Sequence, residues 1–141
     1  MIGYPAPKGL RTTNTRRGVS TIPSVGSARR EQCAFCRLRH GELLDAAHIV
    51  EDRESNGEPV VPNGLALCKL HHAAFDRYFI AVRPSYLIEV REDVLDEEDG
   101  PMLLHGLKGL HMQEIHLPRT RALYPDPERL DWRYSKFKKA V

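Results

Sequence analysis

Three cysteines and one histidine constrain this chain more than any other feature. Cys33 and Cys36 stand at Cys-x2-Cys spacing and Cys68 and His71 at Cys-x2-His spacing, an arrangement in which each short segment offers two ligands to one tetrahedral ion. Three thiols cannot all pair with one another, and the opening MIGYPAPKGLRTTNTRR lacks the apolar stretch of a secretory signal. The expectation is therefore a cytoplasmic protein with metal-bound thiolates, not a disulfide framework. The four donors form a closed set for a structural Zn2+, which would fasten a core too small to rely on apolar burial alone. Adjacent histidines on a helix point ~100° apart, so only one of His71 and His72 can face the thiolates. The x2 spacing favours His71 and leaves His72 for another task.

A chain of 141 residues has room for one domain, or for a small domain with an appendage. Its mean hydropathy of −0.45 and its lack of a long apolar run exclude a membrane span. The net charge of +2 conceals a segregated pattern. Residues 1–40 hold eight basic side chains against Glu31 alone; residues 41–60 hold six acids against Arg53; and Glu92, Asp93, Asp96, Glu97, Glu98 and Asp99 form a second acidic run. The end turns basic again through Arg129, Arg133, Lys136, Lys138 and Lys139. Basic ends suit a polyanion such as DNA, and an acidic patch between them suits a divalent cation. Arg16, Arg17, Arg29, Arg30, Arg37 and Arg39 are the expected phosphate contacts at the front.

Residues 1–28 are rich in Pro, Gly, Ser, Thr and Arg and show no periodicity, as expected of a basic, flexible arm. The apolar run Leu43–Val50 reads as a half-buried strand, residues 51–62 as a polar loop, Asn63-Gly64 as a turn and Leu65–Cys68 as a second short strand. Helical spacing of Leu70, Ala73, Ala74 and Phe75 predicts a helix over residues 69–78. Tyr86, Ile88 and Val90 alternate as one face of a further strand, residues 102–109 are ambiguous, and residues 113–117 read as another strand. Pro127 after Asp126 opens a final helix through Leu130, Tyr134 and Phe137. The resulting division is an arm over 1–28, a core over 29–83 and a C-terminal α/β extension over 84–141 that packs on the core and ends in a basic helix.

Three further polar residues are ones that core packing does not select: His48 at the end of the first strand, Asn63 at the turn and His72 on the helix. Singly, each can be a satisfied core histidine or a turn asparagine. Their order and setting, Asp45-Ala46-Ala47-His48-Ile49-Val50, then Asn63-Gly64-Leu65-Ala66-Leu67-Cys68, then His71-His72, resemble the HNH endonucleases of the ββα-metal superfamily, including its Cys-x2-Cys zinc variety. The stretch from Leu67 to Arg77 also resembles HNH proteins of bacterial restriction systems, in which such a module often ends a longer chain.

The resemblance implies an α+β fold with a small ββα-metal core stapled by zinc, and a metal-dependent hydrolase of phosphodiester bonds in double-stranded DNA. It implies His48 as the general base that activates water, Asn63 as the residue that positions it, and His72 as a ligand of a catalytic Mg2+, Mn2+ or other divalent ion. The chain departs from the pattern at Ala47, where many members place a second metal ligand. Asp76, four residues beyond His72 on the same helix face, is the expected substitute, and Asp45 the other candidate. The alternative is a catalytically weak or inactive zinc module that binds nucleic acid.

Overall fold

The computed structural model describes residues 32–98 and 100–140. Arg16, Arg17, Arg29 and Arg30, and the whole of the expected arm, lie outside the described residues.

Strand β1 (Leu44–His48) pairs antiparallel with β2 (Gly64–Cys68), and the register sets Leu44 opposite Cys68, Ala46 opposite Ala66 and His48 opposite Gly64. β2 is buried along its whole length because helix α1 (Lys69–Asp76) covers one face and segments from elsewhere in the chain cover the other. α1 follows β2 without a linker, and its buried residues His71, Ala74 and Phe75 share the i, i+3, i+4 face turned to the hairpin. The helix stops at Asp76, two residues before the expected end, where Tyr78 takes a positive φ of 62° and reverses the chain.

A second antiparallel pair, β3 (Ile80–Val82) with β4 (Ile88–Val90), follows. β3 is an apolar run of three residues, too short to show a period, and the sequence gives no strand signal for it. Tyr86, expected in the strand, instead sits at φ 72° in the connecting turn, where its N–H bonds the carbonyl of Arg83. Helix α2 (Glu92–Leu95) absorbs the start of the acidic run, with Glu92 and Asp93 in its first turn. The ambiguous stretch becomes α3 (Pro101–Gly106), opened by proline at its first position.

Residues 113–117 do not form the expected strand; one isolated bridge, Leu87 to Glu114, is all the ladder they make. The reason lies in where successive N–H groups go: Ile115 donates to Tyr86 beside β4, whereas His116 donates to Ala34 beside β2. The segment ties the two sheets together instead of extending either one.

Helix α4 (Pro127–Ala140) is capped by Asp126, whose Oδ1 accepts the N–H of Glu128 at 3.1 Å. It packs on β3 and buries Leu130, Arg133 and Phe137. One apolar core runs from Cys33 and Phe35 through Ile49, Leu67 and Phe75 to Ile80, Ile88 and Leu130, so residues before and after position 84 share it. Among the described residues no helix is long and apolar enough to cross a membrane.

Candidate active site and metal centre

The first centre is built by a tight turn and a helix foot. Cys33 and Cys36 flank a turn closed by the Arg37 N–H on the Cys33 carbonyl, and Cys68 and His71 stand at the β2 to α1 junction. Their donor atoms all lie within 4.8 Å of one another. His71 Nδ1 is 3.3 Å from Cys68 Sγ and 3.7 Å from Cys33 Sγ, and the Cys36 and Cys68 sulfurs are 4.0 Å apart. A tetrahedron with zinc–sulfur bonds of ~2.3 Å has edges of about 3.8 Å, so the set fits one Zn2+. The ring is already oriented for it: His71 Nε2–H donates to the Gly106 carbonyl at 2.6 Å, which leaves the Nδ1 lone pair facing the sulfurs. Proton sharing with Cys33, together with burial, pushes the Cys68 thiol up to about 11, while the same contact with Cys68 lowers Cys33. Thiols crowded in this way are poor neighbours as a protonated set and good ones as thiolates around a cation.

The second centre is a cleft of about 400 Å³ lined by Ala46, His48, Glu51, Asp52, His72, Asp76 and Arg133. His48 closes β1 and His72 rises from α1 on a different face from His71. Both ring nitrogens of His72 meet a carboxylate: Nδ1 lies 2.9 Å from Asp45 Oδ2, and Nε2 lies 3.2 Å from Asp76 Oδ2. Asp76 and then Asp45 raise the His72 pKa against the opposing effect of burial. Burial alone would raise Asp45, but hydrogen bonds from His72 and from Lys69 Nζ, at 2.5 Å, outweigh it and hold its pKa low. Asp76 lines the cleft and Asp45 does not.

His48 Nε2 lies 3.0 Å from Asp52 Oδ1, yet the approach misses hydrogen-bond geometry and this buried nitrogen has no hydrogen-bond partner among the described residues. Glu51 and Asp52 are carried by a loop that folds back on itself, and Gly57 permits this: a Cβ there would stand 1.8 Å from the Glu51 carbonyl oxygen.

Asn63 is fully buried and touches the site through the backbone. Its Oδ1 accepts the Val50 N–H at 2.8 Å, its Nδ2 donates to the carbonyls of Val50 and Glu58, and its own carbonyl accepts the Ile49 N–H. The two residues that follow His48 are thereby clamped.

Arg133 is the site residue that sequence reasoning missed. The charge pattern groups it with a basic surface helix, but only 3% of it is exposed. Its guanidinium donates to the Ile49 carbonyl at 3.0 Å and the Phe75 carbonyl at 2.7 Å, next to His48 and Asp76 respectively, and packs on the rings of Phe75 and Tyr78. The available signal was its place between Leu130 and Phe137 at core spacing. Arg129 is likewise unavailable to a polyanion, since it is held by Glu58 and Asp126. Arg37 and Arg39 remain exposed.

Residues 33–83 match the model of a family described as HNH endonuclease. Among solved structures, the chain is similar to a modification dependent TagI restriction endonuclease, with 19% identity over 88% of this chain and a TM-score of 0.54. At that identity the likeness is one of fold, and the match spans 39% of that longer chain. No curated protein matches the chain. Residues 33–83, the segment that matches the HNH endonuclease model, hold the Cys3His cluster together with His48, Asn63 and His72.

Proposed function

We propose that the protein is a divalent-metal-dependent endonuclease that hydrolyses phosphodiester bonds in double-stranded DNA, with a zinc ion that serves folding alone. The observation that carries this reading is the cleft in which His48, His72 and Asp76 converge, separate from the Cys3His cluster.

His48 is the general base: an imidazole at the cleft wall takes the proton of the attacking water, with Asp52 Oδ1 3.0 Å from its Nε2. Asn63 is a positioning residue that fixes the backbone after His48. His72 and Asp76 are the pair suited to hold the catalytic ion. With His72 Nδ1–H given to Asp45, its Nε2 lone pair faces Asp76 Oδ2 at 3.2 Å, close to the edge of about 3.0 Å between neighbouring ligands at ~2.1 Å from a metal. Asp45 then orients the ring. This division supplies the ligand that Ala47 cannot. When bound, a Mg2+ or Mn2+ ion polarises the scissile phosphate and stabilises the departing 3′ oxygen.

A Mn2+ titration of duplex cleavage tests the assignment. His72→Ala and Asp76→Ala should raise the Mn2+ needed for half-maximal rate by roughly ten- to a hundredfold, and Asp45→Asn by less. Zinc content should stay at one ion per chain in all three. An Asp45→Asn defect larger than that of Asp76→Ala would reverse the roles given to the two carboxylates.

A further inference from the structure

A second groove, more voluminous than the cleft that holds His48 and His72, opens elsewhere on the described residues. It measures about 660 Å³, and Arg37, Arg39, His116 and Arg119 line it over a floor that includes Ala34 and Ala66. None of its lining residues is acidic. The three arginines are exposed, and none pairs with a carboxylate among the described residues, whereas Arg53, Arg83, Arg91 and Arg129 all do. Uncompensated arginines drawn to one groove form a concentrated positive field. Burial first, and then the charge of Arg37, lower the His116 pKa, as expected inside such a field.

The groove is held by regular backbone contacts. Its floor is a short ladder in which Ala34 N–H donates to Ala66 of β2 and His116 N–H donates to Ala34, both near 2.9 Å. One wall is the turn that carries Cys33 and Cys36, with Arg37 fixed at φ 67° directly after the second thiol. The opposite wall is the segment from Ile115 to Pro125. The groove also adjoins the cleft across the β1–β2 hairpin: Ala46 and His48 line the cleft, and Ala66 and Gly64, their register partners, line the groove. Partnered Cα atoms of antiparallel strands are ~4.5–5.5 Å apart, so a strand crossing the cleft has the groove beside it.

We propose that this groove binds the sugar-phosphate backbone of duplex DNA flanking the bond to be cut, with Arg37, Arg39 and Arg119 each taking a phosphate. The inference rests on the nuclease reading for its choice of polyanion and gives the segment after residue 84 a share in substrate binding. Contacts of this kind set affinity and register without reading base sequence.

The test uses the full chain, zinc-loaded, and a labelled duplex of about 30 base pairs, with anisotropy read over a range of salt. Each phosphate contact contributes about 0.9 to the slope of log affinity against log salt. Replacing Arg37, Arg39 and Arg119 together by alanine should therefore flatten the slope by about 2.7 and weaken binding at least tenfold near physiological salt. Lys139→Ala, on the exposed end of α4, should change neither. His48→Ala should keep the wild-type slope while losing cleavage. A triple variant with the wild-type slope, or a Lys139→Ala loss equal to that of Arg119→Ala alone, would overturn the groove assignment whether or not the protein cuts. A protein that never cuts but loses the slope in the triple variant would keep the groove and remove the nuclease reading.

Discussion

Arg133 offers a sharp perturbation because it ties together the two halves of the cleft. Its guanidinium spans the Ile49 carbonyl at 3.0 Å and the Phe75 carbonyl at 2.7 Å, and it is 3% exposed. Hydrogen bonds from a charged donor contribute about 1.5–3 kcal/mol each, so Arg133→Met gives up roughly 3–6 kcal/mol. Part of this returns. The buried charge has no close counter-ion, since Asp76 Oδ1 is 4.0 Å away and Nε lacks a partner, and burial already lowers the Arg133 pKa. Relief of that desolvation offsets about 1–3 kcal/mol. Phe75 also keeps the Tyr78 N–H as donor, whereas Ile49 is left with none among the described residues. The net cost is about 2–3 kcal/mol, which for a chain of this size lowers Tm by roughly 6–12 °C. Arg133→Lys keeps the charge, but its ammonium is a compact point donor that cannot bridge both carbonyls and is harder to desolvate, so it should be no better than methionine. Differential scanning calorimetry and single-turnover cleavage measure the two consequences, with a rate loss of about tenfold or more expected in both variants. Recovery of both Tm and rate by lysine would show that charge matters here and the two-carbonyl bridge does not.

Cys33→Ala, Cys36→Ala, Cys68→Ala and His71→Ala should each lose the single Zn2+ per chain and unfold the protein at moderate temperature, as read by elemental analysis and circular dichroism. Asn63→Ala should cost about 3 kcal/mol by leaving Val50 and Glu58 backbone groups unpaired, and Asn63→Asp should be worse, because it sets a carboxylate oxygen against two carbonyls; denaturant melts order them. Burial pushes Glu89 up, but Tyr134 and Arg83 outweigh it and hold its pKa below the usual range. Its contribution to stability is therefore full above the ordinary carboxylate pKa and lost as pH falls through the lowered value, so the gap between wild type and Glu89→Gln should close on acidification.

Spacing made the metal set readable, because the donors come in two local pairs and each pair needs only a turn or a helix start to converge. The ββα order was readable for a similar reason, since Leu44–His48 and Gly64–Cys68 carry their own apolar signal on either side of a turn. What stayed hidden depends on long-range contact. β3 is three residues long, and the split of residues 113–117 between two sheets depends on partners far away in sequence. Arg133 hid behind its type: a charge pattern reads an arginine near the C-terminus as surface, and only the carbonyls of Ile49 and Phe75 explain why it is inside. The groove was half visible, in Arg37 and Arg39, while Arg119 and His116 joined it only through the fold.

The most direct measurement is conversion of supercoiled plasmid by zinc-loaded protein with added Mg2+ or Mn2+, with no added divalent ion, and with His48→Ala in parallel. Wild type should nick or linearise the plasmid only when the second ion is supplied, and His48→Ala should bind the same DNA while its rate falls by roughly 10²-fold or more. Cleavage by His48→Ala at the wild-type rate, or a folded, zinc-loaded wild type that leaves the plasmid intact with every ion, would contradict the account.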